Sequence, residues 1–194
     1  MNNKAIFFML LTVVSLAFNL GFADPATYNI DPSHTFPAFE ADHQGVLSIW
    51  RVKINQSSGT VILDKEAETG TIDVVFEMAS IDFGHDGMNR MAVESILHVD
   101  EFPTANYQGS LVNFEDGAPT GVEGTLTLHG VSRPVNLAVN RFKCQPHFRS
   151  GREVCGADAE ATINRADFGV DYDLDLGFFP EVKLLITVEA QVAE

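Results

Sequence analysis

Positive charge is scarce in this chain. Across 194 residues, 12 lysines and arginines face 27 aspartates and glutamates, for a formal net charge of −15. A surface of that sign repels phosphate backbones and anionic lipid, so nucleic acid is not an expected partner and neither is electrostatic docking on a membrane. The same charge also keeps a protein soluble. Cysteine is nearly absent: only Cys144 and Cys155 occur, and no further cysteine or nearby histidine at ligand spacing supports a thiol–metal site. Also missing are a Gly-x-Ser-x-Gly elbow, a phosphate loop, a zinc-spaced cluster and a Gly-x-Gly-x-x-Gly fingerprint. No catalytic constellation, cofactor or metal is expected on that ground, and the chain reads as a non-enzyme.

Long apolar runs are lacking too, with one exception at the start. Met1 to Lys4 is followed by an apolar run from Ala5 to Leu20 and by Gly21-Phe22-Ala23. Asn19 and Gly21 hold the continuous segment below the roughly 18 residues of a membrane span, while Gly21 and Ala23 suit a signal peptidase. The expected organisation is a leader over residues 1–23, cleaved after Ala23, and one domain over 24–194. Export favours a disulfide between Cys144 and Cys155.

What the mature part has in abundance is alternation. In Thr71 to Ala79, Ile72, Val74, Phe76 and Met78 share one face and Asp73 and Glu77 the other, a strand with one side buried. The period returns at Val61 and Leu63, at Ala105, Tyr107 and Leu111, at Leu126 and Leu128, at Val135, Leu137 and Val139, and at Val182, Leu184, Ile186 and Val188. Turn residues separate these runs at Ser57-Ser58-Gly59, Glu68-Thr69-Gly70 and Glu115-Asp116-Gly117. Strands joined by short turns make an antiparallel meander.

One segment breaks the period. Met88, Met91, Ala92, Ser95 and Ile96 fall at helical spacing, which predicts a helix over Gly87 to Leu97. A second, shorter helical turn is expected near Val46 to Trp50. Many antiparallel strands with one apolar face and no covering helices close into a barrel or pack as a sandwich. The near-neighbour cysteines do not match the distant pair that frames a buried tryptophan in a Greek-key sandwich, so the expectation is a barrel.

Several stretches then resemble one family. Tyr28-Asn29-Ile30-Asp31-Pro32-Ser33-His34, Gly124 to Val135 with its Leu-Thr-Leu-His-Gly-Val core, Ala161 to Gly169 with Asn164-Arg165-Ala166-Asp167-Phe168-Gly169, and Glu181-Val182-Lys183 are together similar to YceI-like proteins. The resemblance implies an antiparallel lipocalin-like β-barrel of about eight strands with one or two short helices. It implies a periplasmic protein that binds a polyisoprenoid, an isoprenoid quinone or a fatty-acyl molecule, with a homodimer as a family-level possibility. The segment Asn89 to His98 departs from the family's usual helix, which leaves open whether that helix gates the pocket.

An eight-stranded barrel is either filled by its own side chains or holds one ligand. Here large inward residues mix with small ones, Ala41, Ala105, Ala159 and Ala161, which leaves room. A tail burying roughly 300 Å² would gain about 7 kcal/mol at 25 cal/mol per Å², against at least about 4 kcal/mol for association, so a long ligand is favoured over a short one. The expected apolar lining is Phe39, Ala41, His43, Phe76, Met78, Tyr107, Leu126, Leu128, Leu184 and Ile186. His43 faces inward, where it hydrogen-bonds either a head group or a buried neighbour. His34 lies an odd number of residues away and cannot pair with it on a metal. Alternatives to the carrier are an enzyme using His43 or His34 as general base, or an interaction module with a filled core. His85 with Asp86 and Arg90 either stabilises an anionic head group or forms a solvated helix cap, the cap being preferred, and Arg165 is expected to pair with Asp167 in preference to binding ligand.

Overall fold

The computed structural model describes residues 24–194. The expected leader and its cleavage point therefore lie outside the described residues. Twelve strand segments follow in chain order: β1 (Ala26–Ile30), β2 (Phe36–His43), β3 (Ser48–Ile54), β4 (Ser57–Asp64), β5 (Thr69–Glu77), β6 (Ile81–Asp82), β7 (Thr104–Glu115), β8 (Ala118–Leu128), β9 (Val131–Pro134), β10 (Leu137–Pro146), β11 (Glu153–Asn164) and β12 (Glu181–Val192). All pairings are antiparallel, and β12 pairs with both β1 and β2, which closes the sheet on itself.

Twelve segments make an eight-stranded barrel because four of the walls are broken strands. β1 and β2 are one strand interrupted by residues 31–35, β3 and β4 one interrupted at Asn55-Gln56, β5 and β6 one interrupted by the short helical turn Met78–Ser80, and β9 and β10 one interrupted at Val135-Asn136. The pairing partners confirm this: β1 runs beside β4, whereas β2 runs beside β3 and β3 beside β6. Two separate clusters of buried side chains fill the barrel.

One half is packed shut. Tyr28, Ile30, Leu63, Val74, Cys155 and Ala190 form a buried cluster there. The Tyr28 hydroxyl donates to Glu153, whose other carboxylate oxygen accepts from Lys65 Nζ at 2.7 Å. Cys144 and Cys155 face each other across β10 and β11, with Cα atoms 4.0 Å apart, and are joined by the expected disulfide. The second and larger cluster surrounds Val52, Ile81, Leu126, Ile163 and Phe168.

Tyr107 shows how tightly the middle is built. It is buried, and its hydroxyl donates to the Val135 carbonyl at 2.8 Å. Gly124 makes this possible, because a Cβ there would lie 2.3 Å from the Tyr107 hydroxyl oxygen. A glycine in a strand interior marks such a close approach.

The helix expected over Gly87 to Leu97 forms as α1 (Asp86–Met91), which continues into a wider π turn over Ala92–Ile96. The second helical turn, expected near Val46 to Trp50, is not there. Residues 44–47 are the turn of the β2–β3 hairpin and Ser48 to Trp50 are strand. Gln44, Gly45 and Val46 all take positive φ (55°, 68° and 64°), the left-handed region that a right-handed helical turn cannot contain. The register of Ala41 opposite Trp50 and His43 opposite Ser48 takes over.

Candidate binding cavity

The end of the barrel bounded by β2, β3, β6 and α1 encloses a cavity of about 450 Å³. Its walls come from alternation along each strand: Phe39 and Ala41 from β2, Phe76 from β5, Leu126 and Leu128 from β8, Leu184 and Ile186 from β12. Met78 is buried at the start of the turn that breaks β5 from β6 and borders the same space. His43, at the end of β2, lies on the rim. Tyr107 alone of the anticipated lining does not border the cavity. It is spent inside the packed middle, where burial drives its hydroxyl pKa up to about 12. Of the small residues, Ala41 and Ala105 border the space, while Ala159 and Ala161 belong to the surrounding core.

α1 roofs this end, and its position follows from capping. The Met88 amide donates to the His85 ring at 3.3 Å, an N-cap contact. Asn89 accepts from the Phe83 amide at 2.7 Å and donates to Asp82, whose carboxylate also accepts from Gly84. These bonds fix the helix against the end of β6, so that Met88, Met91, Ala92 and Ile96 look into the cavity. Methionine fills irregular apolar space and adapts to what it touches. Arg90 stays exposed.

The mouth is aromatic. His43 stacks on Trp50 with ring centroids 4.6 Å apart and meets Phe178 edge-on at 5.5 Å, and Trp50 in turn meets Phe83 edge-on at 5.2 Å. Asp42, beside His43, accepts from the amides of Gly45 and Val46 in its own hairpin and from the Phe179 amide at 3.2 Å. Burial would raise its pKa, but those three amides together hold the carboxyl below the usual aspartate range.

Arg165 organises the opposite lip. Its guanidinium donates to the carbonyls of Val170 (3.0 Å) and Tyr172 (2.8 Å), not to Asp167, so the expected ion pair does not form. The short helical turn Arg165–Phe168 points Asp167 into solvent while Arg165 reaches back under the following loop. Burial lowers the Arg165 pKa, opposed by the charges of Asp171 and Asp173. Tyr172, Asp173 and Phe178 reach the cavity from that loop.

His34 is far less involved. It sits in the loop between β1 and β2, exposed and bonded to Asp31 at 2.8 Å. Trp50 of β3 and the loop residues Phe83, Tyr172, Asp173 and Phe178 also line the cavity and lie outside the alternating runs read from the sequence. The available signal was compositional: the single tryptophan of the chain and the Gly177-Phe178-Phe179-Pro180 run.

Comparison with known proteins gives one concordant picture. The family model of the YceI-like domain matches residues 28–190. "Protein YceI" of Salmonella arizonae is 30% identical over 182 residues, covering 92% of this chain and 93% of the relative, and the Salmonella dublin protein matches equally. Among solved structures, a polyisoprenoid binding domain from Saccharophagus degradans superposes with a TM-score of 0.64 at 15% identity, covering 87% of this chain and 99% of its own. The YCEI protein of Campylobacter jejuni superposes at 0.65 with 19% identity, over 79% and 90% of the two chains. Burkholderia cenocepacia BcnA gives 0.64 at 16% identity, over 82% and 98%.

Proposed function

The chain belongs to the YceI-like domain family, and from that premise we propose that it is an exported carrier or buffer for one long apolar molecule held inside the barrel. The observation that carries this reading is the cavity of about 450 Å³ with aliphatic walls and an aromatic mouth. Its size falls within the roughly 300–1,000 Å³ of small-molecule sites, which are likewise mostly apolar with a few placed polar groups. The anticipated lining residues other than Tyr107 and the rim residue His43 are the proposed contacts for the tail.

A polyisoprenoid is the first candidate, in line with the description of the Saccharophagus domain. Isoprenoid quinones and fatty-acyl chains offer the same tail chemistry. Binding rather than catalysis is supported by how the rim's charged groups are used: Asp42 serves three backbone amides and Arg165 two backbone carbonyls, which builds the mouth and leaves neither poised as acid or base. The disulfide fits a periplasmic, oxidising location.

Trp50 is the only tryptophan and lines the cavity, so its emission tests the reading without a label. Titration with polyprenols of increasing length is expected to give a saturable change, tightening with length until the cavity is full. No response at any length contradicts the proposal.

A further inference from the structure

We propose that the mouth of the barrel docks on an electrically neutral lipid surface through an apolar rim, and that the tail passes between that surface and the cavity without crossing water. This rests on the carrier reading and goes beyond it, because a cavity says what is held and not where it is loaded.

The exposed large apolar side chains of the described residues are not spread evenly over the barrel. Six of the ten ring the mouth: Val46 (69% exposed) and Leu47 (70%) at the tip of the β2–β3 hairpin, Leu176 (64%) and Phe179 in the loop before β12, and Met91 and Tyr172 beside them. Single exposed apolar residues need no explanation, whereas an apolar patch bordered by polar groups marks a docking site. The two tips abut. A Cβ built on Gly45 would lie 3.4 Å from the Gly177 carbonyl oxygen, and Asp42 in the hairpin accepts from the Phe179 amide. The hairpin tip also holds a β-branched residue, Val46, at φ 64°, where such side chains are strained, and that strained turn presents the isopropyl group to solvent.

Continuity with the cavity identifies the occupant. Met91 and Tyr172 belong both to the exposed rim and to the cavity wall, so the patch runs into the binding space. A protein partner needs no such junction. A lipid reservoir does, because a long apolar tail resides in lipid and its passage through water would expose its whole length.

Charge selects the kind of surface. Asp171 and Asp175 are exposed in the same loop, with Asp173 between them, and the guanidinium of Arg165 is engaged by the carbonyls of Val170 and Tyr172. Arg51 pairs with Glu40 at 2.8 Å. Arg90 of α1 is exposed but is outnumbered by those three acids. With a formal net charge of −15 behind it, this rim is repelled by anionic lipid and enters a zwitterionic interface by its apolar area alone.

The test uses the full mature protein and unilamellar vesicles, with flotation as the measure of docking. The protein is expected to float with phosphatidylcholine vesicles, and admixture of phosphatidylglycerol is expected to reduce the bound fraction, with high salt restoring it. The double variant Leu47→Ser/Leu176→Ser changes two rim residues that do not border the cavity, and it is expected to lower vesicle binding by about tenfold or more through the loss of two inserted leucine side chains. Trp50 emission separates docking from carriage. A long-chain polyprenol delivered by cyclodextrin is expected to bind the natural protein and the double variant equally, while transfer of the same polyprenol out of phosphatidylcholine vesicles slows in the variant by a similar factor. Binding from cyclodextrin by a natural protein that does not float, or a double variant that floats and loads as before, overturns the docking and leaves the carrier reading standing. Self-association that is lost in the double variant, with no flotation of the natural protein, assigns the rim to a second copy and likewise overturns it. No binding from cyclodextrin defeats the carrier reading and the transfer role of the rim with it.

Discussion

The carboxylate of Asp42 accepts the backbone amide of Phe179 at 3.2 Å across 137 positions of sequence. Because the same carboxylate also caps the Gly45 and Val46 amides, one side chain fastens the β2–β3 hairpin to the loop before β12. The mouth of the cavity is held together at that point. Asp42→Ala frees three amides at once, and the expected outcome is faster hydrogen exchange at Phe179 and faster ligand release, with exchange at the disulfide end unchanged. Unaltered exchange at Phe179 would show that the latch is unimportant.

Tyr107 is buried in the barrel core and does not border the cavity. Tyr107→Phe leaves the Val135 carbonyl without the hydroxyl that donates to it, and an unsatisfied buried acceptor costs about 1–3 kcal/mol. Denaturant unfolding is expected to register that loss while Trp50-detected ligand affinity stays put. A large affinity change would place Tyr107 on the ligand after all.

How much of this was legible beforehand divides along one line. Strands such as β5 and β12 announce their inward faces because side chains alternate with period two, so Phe76, Leu184 and Ile186 were readable as wall. Tyr107 obeys the same alternation but lies beside Gly124, and only the register of β7 against β8 shows that its ring is consumed by that gap. The mouth was not readable: Trp50 at the near end of β3 meets Phe83 and Phe178, which come from the loops after β6 and before β12, and no sequence period links the three. The turn at Gln44 to Val46 misled for a local reason, since three consecutive positive φ angles leave no trace in apolar spacing.

Cys144 and Cys155 close a loop of 11 positions between directly paired strands. Chain-entropy arguments give such a link about 2–3 kcal/mol, and a domain of this size shifts its melting point by about 2–4 °C per kcal/mol. Reduction is therefore expected to lower Tm by roughly 5–10 °C while the barrel persists. Thermal melts with and without reductant check this, and an unchanged Tm would remove the disulfide from the stability account.

Acid should weaken the fold in a defined direction. Glu153, held down by Lys65 and then Tyr28, Glu160 by Lys183, Asp73 by Asn106 and Gln108, and Asp31 by His34 all have pKa values below their ordinary 4.5 and 3.8. A depressed carboxyl contributes stability that is complete above its unfolded value and disappears as pH falls through the folded one. His34 has the opposite sign: its pKa is raised by Asp31, so its contribution is present in acid and fades as pH rises past the ordinary 6.5. These groups are largely solvent-screened, so the expected profile is flat from pH 8 to about 5 and falls below the ordinary carboxylate values. Loss of stability already between pH 7 and 6 would contradict it.

The central claim is that the half of the barrel under α1 holds a long hydrocarbon chain. Mass spectrometry of an organic extract from protein purified without detergent out of its native compartment tests it most directly. The account predicts a discrete long-chain lipid, near one molecule per chain, and its depletion in an Ala41→Phe variant whose added ring occupies the cavity. A clean extract from the natural protein, or the same lipid at the same yield from Ala41→Phe, would contradict it.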